Sequence, residues 1–231
     1  MYIILCKWGI KIHQPSWISI KKTLKESFDV FLNQIFPTLY NAFSVLLLGV
    51  FCGPVANGLF DAGTKLVDIS QQFLKIISRT FFPFLSRKID KHTLFSKIYM
   101  LFTLIVTLGL IFFAPFLIPV FFSEEFSESI KVLRLMAISG VFLTMSNIYG
   151  TNYLIIIGRE RSLRNLTMYA SLLGFVIAIP LIYYGGYMGA VAIIVFVRML
   201  LGVGSYLLAY NCKKNICCLL YTSDAADELD G

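Results

Sequence analysis

The sequence predicts an all-α membrane protein of about six transmembrane helices, and three observations carry that expectation. The chain of 231 residues is 58% hydrophobic and only 14% charged, which is more apolar surface than one soluble core of this length can hide. Its apolar residues fall into six runs, each near or above the roughly 20 residues that cross a bilayer. The lysines and arginines gather between alternate runs, as the preference of basic residues for the cytoplasmic side requires.

The first run, 28–51, holds Asn33, Gln34, Pro37 and Asn41, a high polar density for a helix facing lipid. Pro37 frees a backbone carbonyl and predicts a kink. The amides serve either a binding path or hydrogen bonds between helices. Asp29 lies close enough to the inner end to reach water. Gly53-Pro54 then breaks the chain before the second run, 55–84, in which Pro83 falls late. Here Asp61, Lys65 and Asp68 recur at i, i+4 and i+7, so all three share one helical face and must turn away from lipid.

The third run, 98–122, is almost wholly apolar, and the fourth, 127–158, exceeds a single span and is expected to tilt or project. Gly158 closes it. The fifth, 163–184, ends at Gly185-Gly186, and the sixth, 188–210, carries Arg198. At about 1.5 Å per residue, Lys65 lies roughly 15 Å and Arg198 roughly 16 Å from the outer ends of their helices, near the bilayer midplane.

Fifteen basic residues occupy one set of connections: Lys7, Lys11, Lys21, Lys22 and Lys25, then Arg79, Arg87, Lys88, Lys91 and Lys97, then Arg159, Arg161 and Arg164, and finally Lys213 and Lys214. The opposite connections hold none around 53–57 or 184–188, and only Lys131 and Arg134 beside Glu124, Glu125 and Glu128. Both ends are therefore expected in the cytoplasm, with Tyr183, Tyr184 and Tyr187 at the outer interface. The net charge of +7 is spread over four connections and forms no nucleic-acid patch.

Charges inside a bilayer are functional candidates by default. Lys65 and Arg198 suit an anionic head group such as a pyrophosphate, the lysine as a point charge and the arginine as a bidentate fork. The competing reading has Lys65 neutralised by Asp61 and Asp68, and Arg198 packed between helices. Lys75 and Arg79 are read as snorkelling to the inner interface. His13 and His92 fall in connections without ligand spacing, and Cys6, Cys52, Cys212, Cys217 and Cys218 form no paired motif. No metal, cofactor or disulfide is expected, and no nucleophile elbow, phosphate loop or dinucleotide fingerprint is present in the sequence. The outer connections are too short for a glycan polymerase or ligase, and mid-membrane charges are foreign to an inert scaffold.

The run Phe36-Pro37-Thr38-Leu39-Tyr40-Asn41 through Leu48-Gly49, followed by Gly53-Pro54-Val55-Ala56-Asn57-Gly58-Leu59-Phe60-Asp61-Ala62 with Lys65, resembles the seventh and eighth helices of polysaccharide flippases, the O-antigen and capsule repeat-unit exporters. Phe121-Phe122-Ser123-Glu124-Glu125-Phe126 with Val132-Leu133-Arg134-Leu135 is similar to the loop before their tenth helix, and Tyr184-Gly185-Gly186-Tyr187-Met188-Gly189-Ala190 to the turn opening their twelfth. The position of Arg198 is often acidic in that family, a departure from its pattern.

The resemblance implies one lobe of a two-lobed transporter, the C-terminal half, with a missing N-terminal lobe, a lipid-linked oligosaccharide as substrate and the cytoplasmic membrane as location. Asp61, Lys65, Asp68, Arg198 and Asn41 are the candidate substrate-binding residues. Residues 1–26 then form a cytoplasmic connection and the end of a preceding helix, 27–211 the six-helix lobe, and 212–231 a cytoplasmic tail. Within that tail 218–231 turns abruptly acidic and resembles a translated sequencing adapter. Other transporters of the same superfamily, a lipid II flippase or a cation-coupled drug exporter, are the alternative.

Overall fold

The computed structural model describes residues 17–88 and 91–227. Expectations for 1–16, for the side chains of Asp29, Asn33 and Gln34, and for the side chains of the acidic tail lie outside the described residues. The described chain is helical throughout, in the order α1 (Trp17–Arg87), α2 (His92–Phe122), a short 3-10 turn (Glu124–Phe126), α3 (Ser129–Met145) running into a π-helical stretch (Ser146–Leu154), and α4 (Glu160–Asp227). Four helices among the described residues are long and apolar enough to cross a membrane.

Two of these helices reverse direction. Gly53, at φ 80° and ψ 179°, interrupts α1, in a region of backbone space that is essentially open to glycine alone. Pro54 then opens the second arm, where its missing N–H costs nothing. Gly49 packs against the Asn57 side chain eight residues on, whereas an unbroken helix would hold them about 12 Å apart. Gly186, at φ 57° and ψ −139°, breaks α4 in the same manner, and Gly189 packs on the Leu181 carbonyl. Each of α1 and α4 is thus a pair of arms folded back on one another.

The contacts place the reversals at one end of the bundle. Phe51 meets Tyr183 edge-to-face at 5.7 Å, and the Cys52 thiol points to the Ile182 carbonyl at 3.9 Å. Tyr187 donates to Glu128 there, and Phe126 lies over Gly58. At the opposite end the His92 ring meets the Ile148 carbonyl at 3.1 Å, and Gly150 packs on Leu163 and Ser205.

α2 shows what kind of solvent the bundle expects. Its buried residues are His92, Ser96, Tyr99, Thr103, Thr107, Ala114 and Ile118, while Leu101, Leu108, Phe112 and Phe116 face outward. Polar groups inside and large apolar groups outside invert the soluble pattern and fit helices that associate in lipid through hydrogen bonds. Tyr99 donates to the Leu74 carbonyl and Asn152 to the Ser78 hydroxyl, tying α2 and the π-helical stretch to the second arm of α1.

Three expectations are corrected. Pro83 does not break the second arm of α1, which runs through it to Arg87, Gly53 being the non-helical residue of that helix; neighbouring hydroxyls and local adjustment can absorb a missing N–H in such helices. His92 opens α2 instead of sitting in a connection, and it is buried with Ser96 as a second partner. The last arm also continues beyond residue 210, to Asp227.

Candidate functional site

The second arm of α1 divides into a packed and an open face. Phe60, Val67, Gln71, Leu74 and Ser78 are buried against the bundle. On another face Asp61, Lys65, Asp68, Gln72, Lys75 and Arg79 follow at steps of four, three, four, three and four, and all six are exposed. These steps average 3.6 residues and keep every member within one stripe of a 3.6-residue helix. The stripe runs about 27 Å at 1.5 Å per residue, most of a bilayer's hydrocarbon depth.

Arg198 joins the stripe from the second arm of α4. Its Nη2 lies 3.9 Å from Asp68 Oδ1, and its Nη1 donates to Ser139 Oγ at 2.9 Å. Ser139 in turn donates to the Met136 carbonyl at 2.7 Å, which fixes its lone pairs toward the guanidinium. The arginine side chain is 12% exposed and the aspartate 52%, so the cation is held inside the bundle while its carboxylate partner stands at the edge. Next to this pair Gln71 fits into a notch left by Gly140, where a Cβ would come 2.5 Å from Nε2.

Electrostatically the pair is one node of a larger set. The charges acting on Asp68 are, in order of size, Arg198, Lys75, Asp61 and Lys65. The stripe and Arg198 together hold four cations and two carboxylates, an excess of two positive charges. Lys65 is exposed and has no ion pair within 4.0 Å among the described residues. No group of His, Cys, Asp or Glu among the described residues is arranged to hold a metal ion.

The structure therefore brings Asp61, Lys65, Asp68 and Arg198 to one region, with Asp68 paired across helices to Arg198. Asn41 is half-buried on the first arm of α1; its neighbour Tyr40 packs with Val197 around Gly174, which sets Asn41 near the level of Arg198. Sequence reasoning missed Ser139, since no local pattern marks a hydroxyl that meets a cation 59 residues away. It also stopped the stripe at Asp68, although the unbroken spacing from 61 to 79 was the available signal.

Residues 1–89 match the family described as Polysaccharide biosynthesis protein. The chain is 30% identical over 185 residues to a Shigella dysenteriae protein named "Putative O-antigen transporter", covering 78% of this chain and 46% of that protein. It is 23% identical over 175 residues to an Escherichia coli (strain K12) protein of the same name, covering 71% of this chain and 41% of that protein. The chain thus spans less than half the length of these two relatives. No solved structure matches it.

Proposed function

We propose that this chain, similar to the family described as Polysaccharide biosynthesis protein over residues 1–89 and to two proteins named "Putative O-antigen transporter", forms part of a polysaccharide flippase, a transporter moving an undecaprenyl-pyrophosphate-linked oligosaccharide repeat unit across the cytoplasmic membrane. In this reading it crosses the membrane six times, with Gly53 and Gly186 at the outer reversals and both ends in the cytoplasm. It forms one lobe of two, and the stripe from Asp61 to Arg79 faces the cavity between them.

The observation that carries the reading is that exposed stripe with Arg198 locked to its centre. Charges on a spanning helix are costly against hydrocarbon and inexpensive against water or a polar partner surface. A pyrophosphate head group brings two or more negative charges, and the surplus of cations here is complementary to it. Lys75 and Arg79 draw the head group from the cytoplasmic end, Lys65 meets it near mid-depth, and Arg198, steadied by Asp68 and Ser139, offers its remaining N–H groups. Asn41 supplies an uncharged contact for the glycan.

The test belongs in the full-length parent. Lys65→Ala and Arg198→Ala should each abolish or strongly reduce surface polysaccharide at near-normal protein level. Arg198→Lys should rescue only partly, because an ammonium keeps the attraction and loses the fork. Wild-type export from both alanine variants would remove the cationic face from the mechanism.

A further inference from the structure

A groove of about 1070 Å³ opens on the surface between α2, the π-helical stretch and the second arm of α4. No residue of the charged stripe lines it, and nothing in the transport reading uses it. Its polarity is graded along the helix axis. At the end where α2 begins it is lined by His92, Lys97, Tyr149, Tyr153, Tyr206 and Tyr210, and deeper in by Met100, Leu101 and Leu104. Its lining includes a lysine and no carboxylate.

The π-helical stretch shapes this groove. Its wider turns, closed by hydrogen bonds such as Ile155 N–H to the Gly150 carbonyl, carry Tyr149 and Tyr153 out toward α2. The imidazole of His92 is used up in the wall: it meets the Ile148 carbonyl and Ser96, and its ring packs on Tyr153 at 4.9 Å. Tyr149 and Tyr206 meet edge-to-face at 5.0 Å across the floor. Lys97 remains exposed at the mouth, as do Leu101 and Leu104 on the wall below.

We propose that this groove binds one anionic phospholipid, its phosphate at Lys97 and the tyrosine hydroxyls and its acyl chains along Met100, Leu101 and Leu104. From His92 to Leu104 the groove runs about 18 Å at 1.5 Å per residue, close to the roughly 15 Å of a single leaflet. A cation and hydroxyls at one end with aliphatic walls at the other is the profile of a phospholipid, whereas a docked helix varies in polarity by face. Basic pockets between helices near the cytoplasmic surface recognise anionic head groups on these terms. The leaflet assignment rests on the orientation proposed above; the binding itself does not.

The test uses the whole chain, extracted in mild detergent, loaded with equal dioleoyl-phosphatidylglycerol and dioleoyl-phosphatidylcholine, washed, and read by native mass spectrometry. Wild type should retain one phosphatidylglycerol in preference to phosphatidylcholine. Lys97→Glu should lower that retention at least about fivefold, the factor corresponding to roughly 1 kcal/mol per lysine at a membrane surface. Lys97→Arg should keep it, Leu104→Trp should exclude both lipids, and Lys131→Glu at the opposite end should change nothing. If Lys97→Glu loses its single gel-filtration peak, Lys97→Gln provides the reading. Equal retention of the two lipids, unchanged retention in a folded Lys97 variant, or displacement of phosphatidylglycerol by undecaprenyl phosphate would overturn the proposal. None of these outcomes depends on polysaccharide export, so the failure of either reading leaves the other standing.

Discussion

Removing either member of the Arg198–Asp68 pair should have unequal consequences, and the inequality follows from where the two charges sit. At 3.9 Å and an effective dielectric near 20, their gross attraction is about 4 kcal/mol. Asp68 is half open to its surroundings, so solvent screening reduces the net coupling to about 1–2 kcal/mol. Asp68→Asn leaves a guanidinium inside the bundle with Ser139 as its remaining neutral partner, and an unpaired inward charge should cost about 2 kcal/mol. Arg198→Met takes the cation away, fills similar volume, and leaves Asp68 free to turn outward, at a cost under about 1 kcal/mol. The double variant should return to the level of Arg198→Met. An SDS titration of the protein from mild-detergent micelles measures all three. Additive effects, or Arg198→Met as damaging as Asp68→Asn, would refute the view that the arginine is the costly member of the pair. The functional order should be the opposite, with Arg198→Met losing export at normal abundance.

Four further outcomes are expected. A Cβ on Gly202 would meet the Phe142 carbonyl oxygen at 2.5 Å and its Cα at 3.0 Å, so Gly202→Ala should destabilise by about 1–3 kcal/mol, while Gly109→Ala, which meets nothing within 4 Å, should be neutral or stabilising by up to about 1 kcal/mol in the same titration. Ser123 holds φ 87° and ψ 165°, a conformation costly to any side chain, so Ser123→Gly should stabilise by about 1 kcal/mol. Reporter fusions after Lys88 and Arg161 should read as cytoplasmic and those after Asn57 and Glu125 as periplasmic; one inverted pair breaks the six-pass arrangement. Deleting 218–231 should leave membrane insertion unchanged, and a large loss of inserted protein would show that this tail belongs to the fold.

The features legible in the sequence were those governed by neighbours along the chain. Gly53-Pro54 and Gly185-Gly186 announce reversals because a positive φ is easy for glycine and an N-terminal proline needs no hydrogen bond. The 61–65–68 spacing announces a shared face because helical periodicity is local. What escaped was set by contacts between distant segments. Nothing near Arg198 reveals that Asp68 and Ser139 meet it, and nothing near His92 reveals the Ile148 carbonyl. Pro83 misled for a related reason: a helix surrounded by other helices tolerates a proline that would break it in isolation. The π-helical stretch from Ser146 to Leu154 left no periodic trace, and the close approach of its Gly150 to Leu163 and Ser205 is again a contact between distant segments.

The stripe on the second arm of α1 places a requirement on whatever lies beside it. Lys65 and Asp68 stand at depths where each charge facing hydrocarbon costs about 2.5–3.5 kcal/mol on insertion scales. Two such charges cost roughly 5–7 kcal/mol by that measure, within the range of the entire stability of an ordinary domain. Pairing within the stripe relieves part of this, since Asp68 is shared among Arg198, Lys75 and Lys65, but one carboxylate cannot neutralise three cations. Water or a polar protein surface against this face, as proposed above, would remove that cost. The apolar exterior of α2, with Phe112 78% exposed, demands the opposite medium. A chain that presents lipid-seeking and water-seeking faces at the same membrane depth is suited to lining a polar path, which is the ground for proposing the stripe, more than any single residue, as the route of a charged head group.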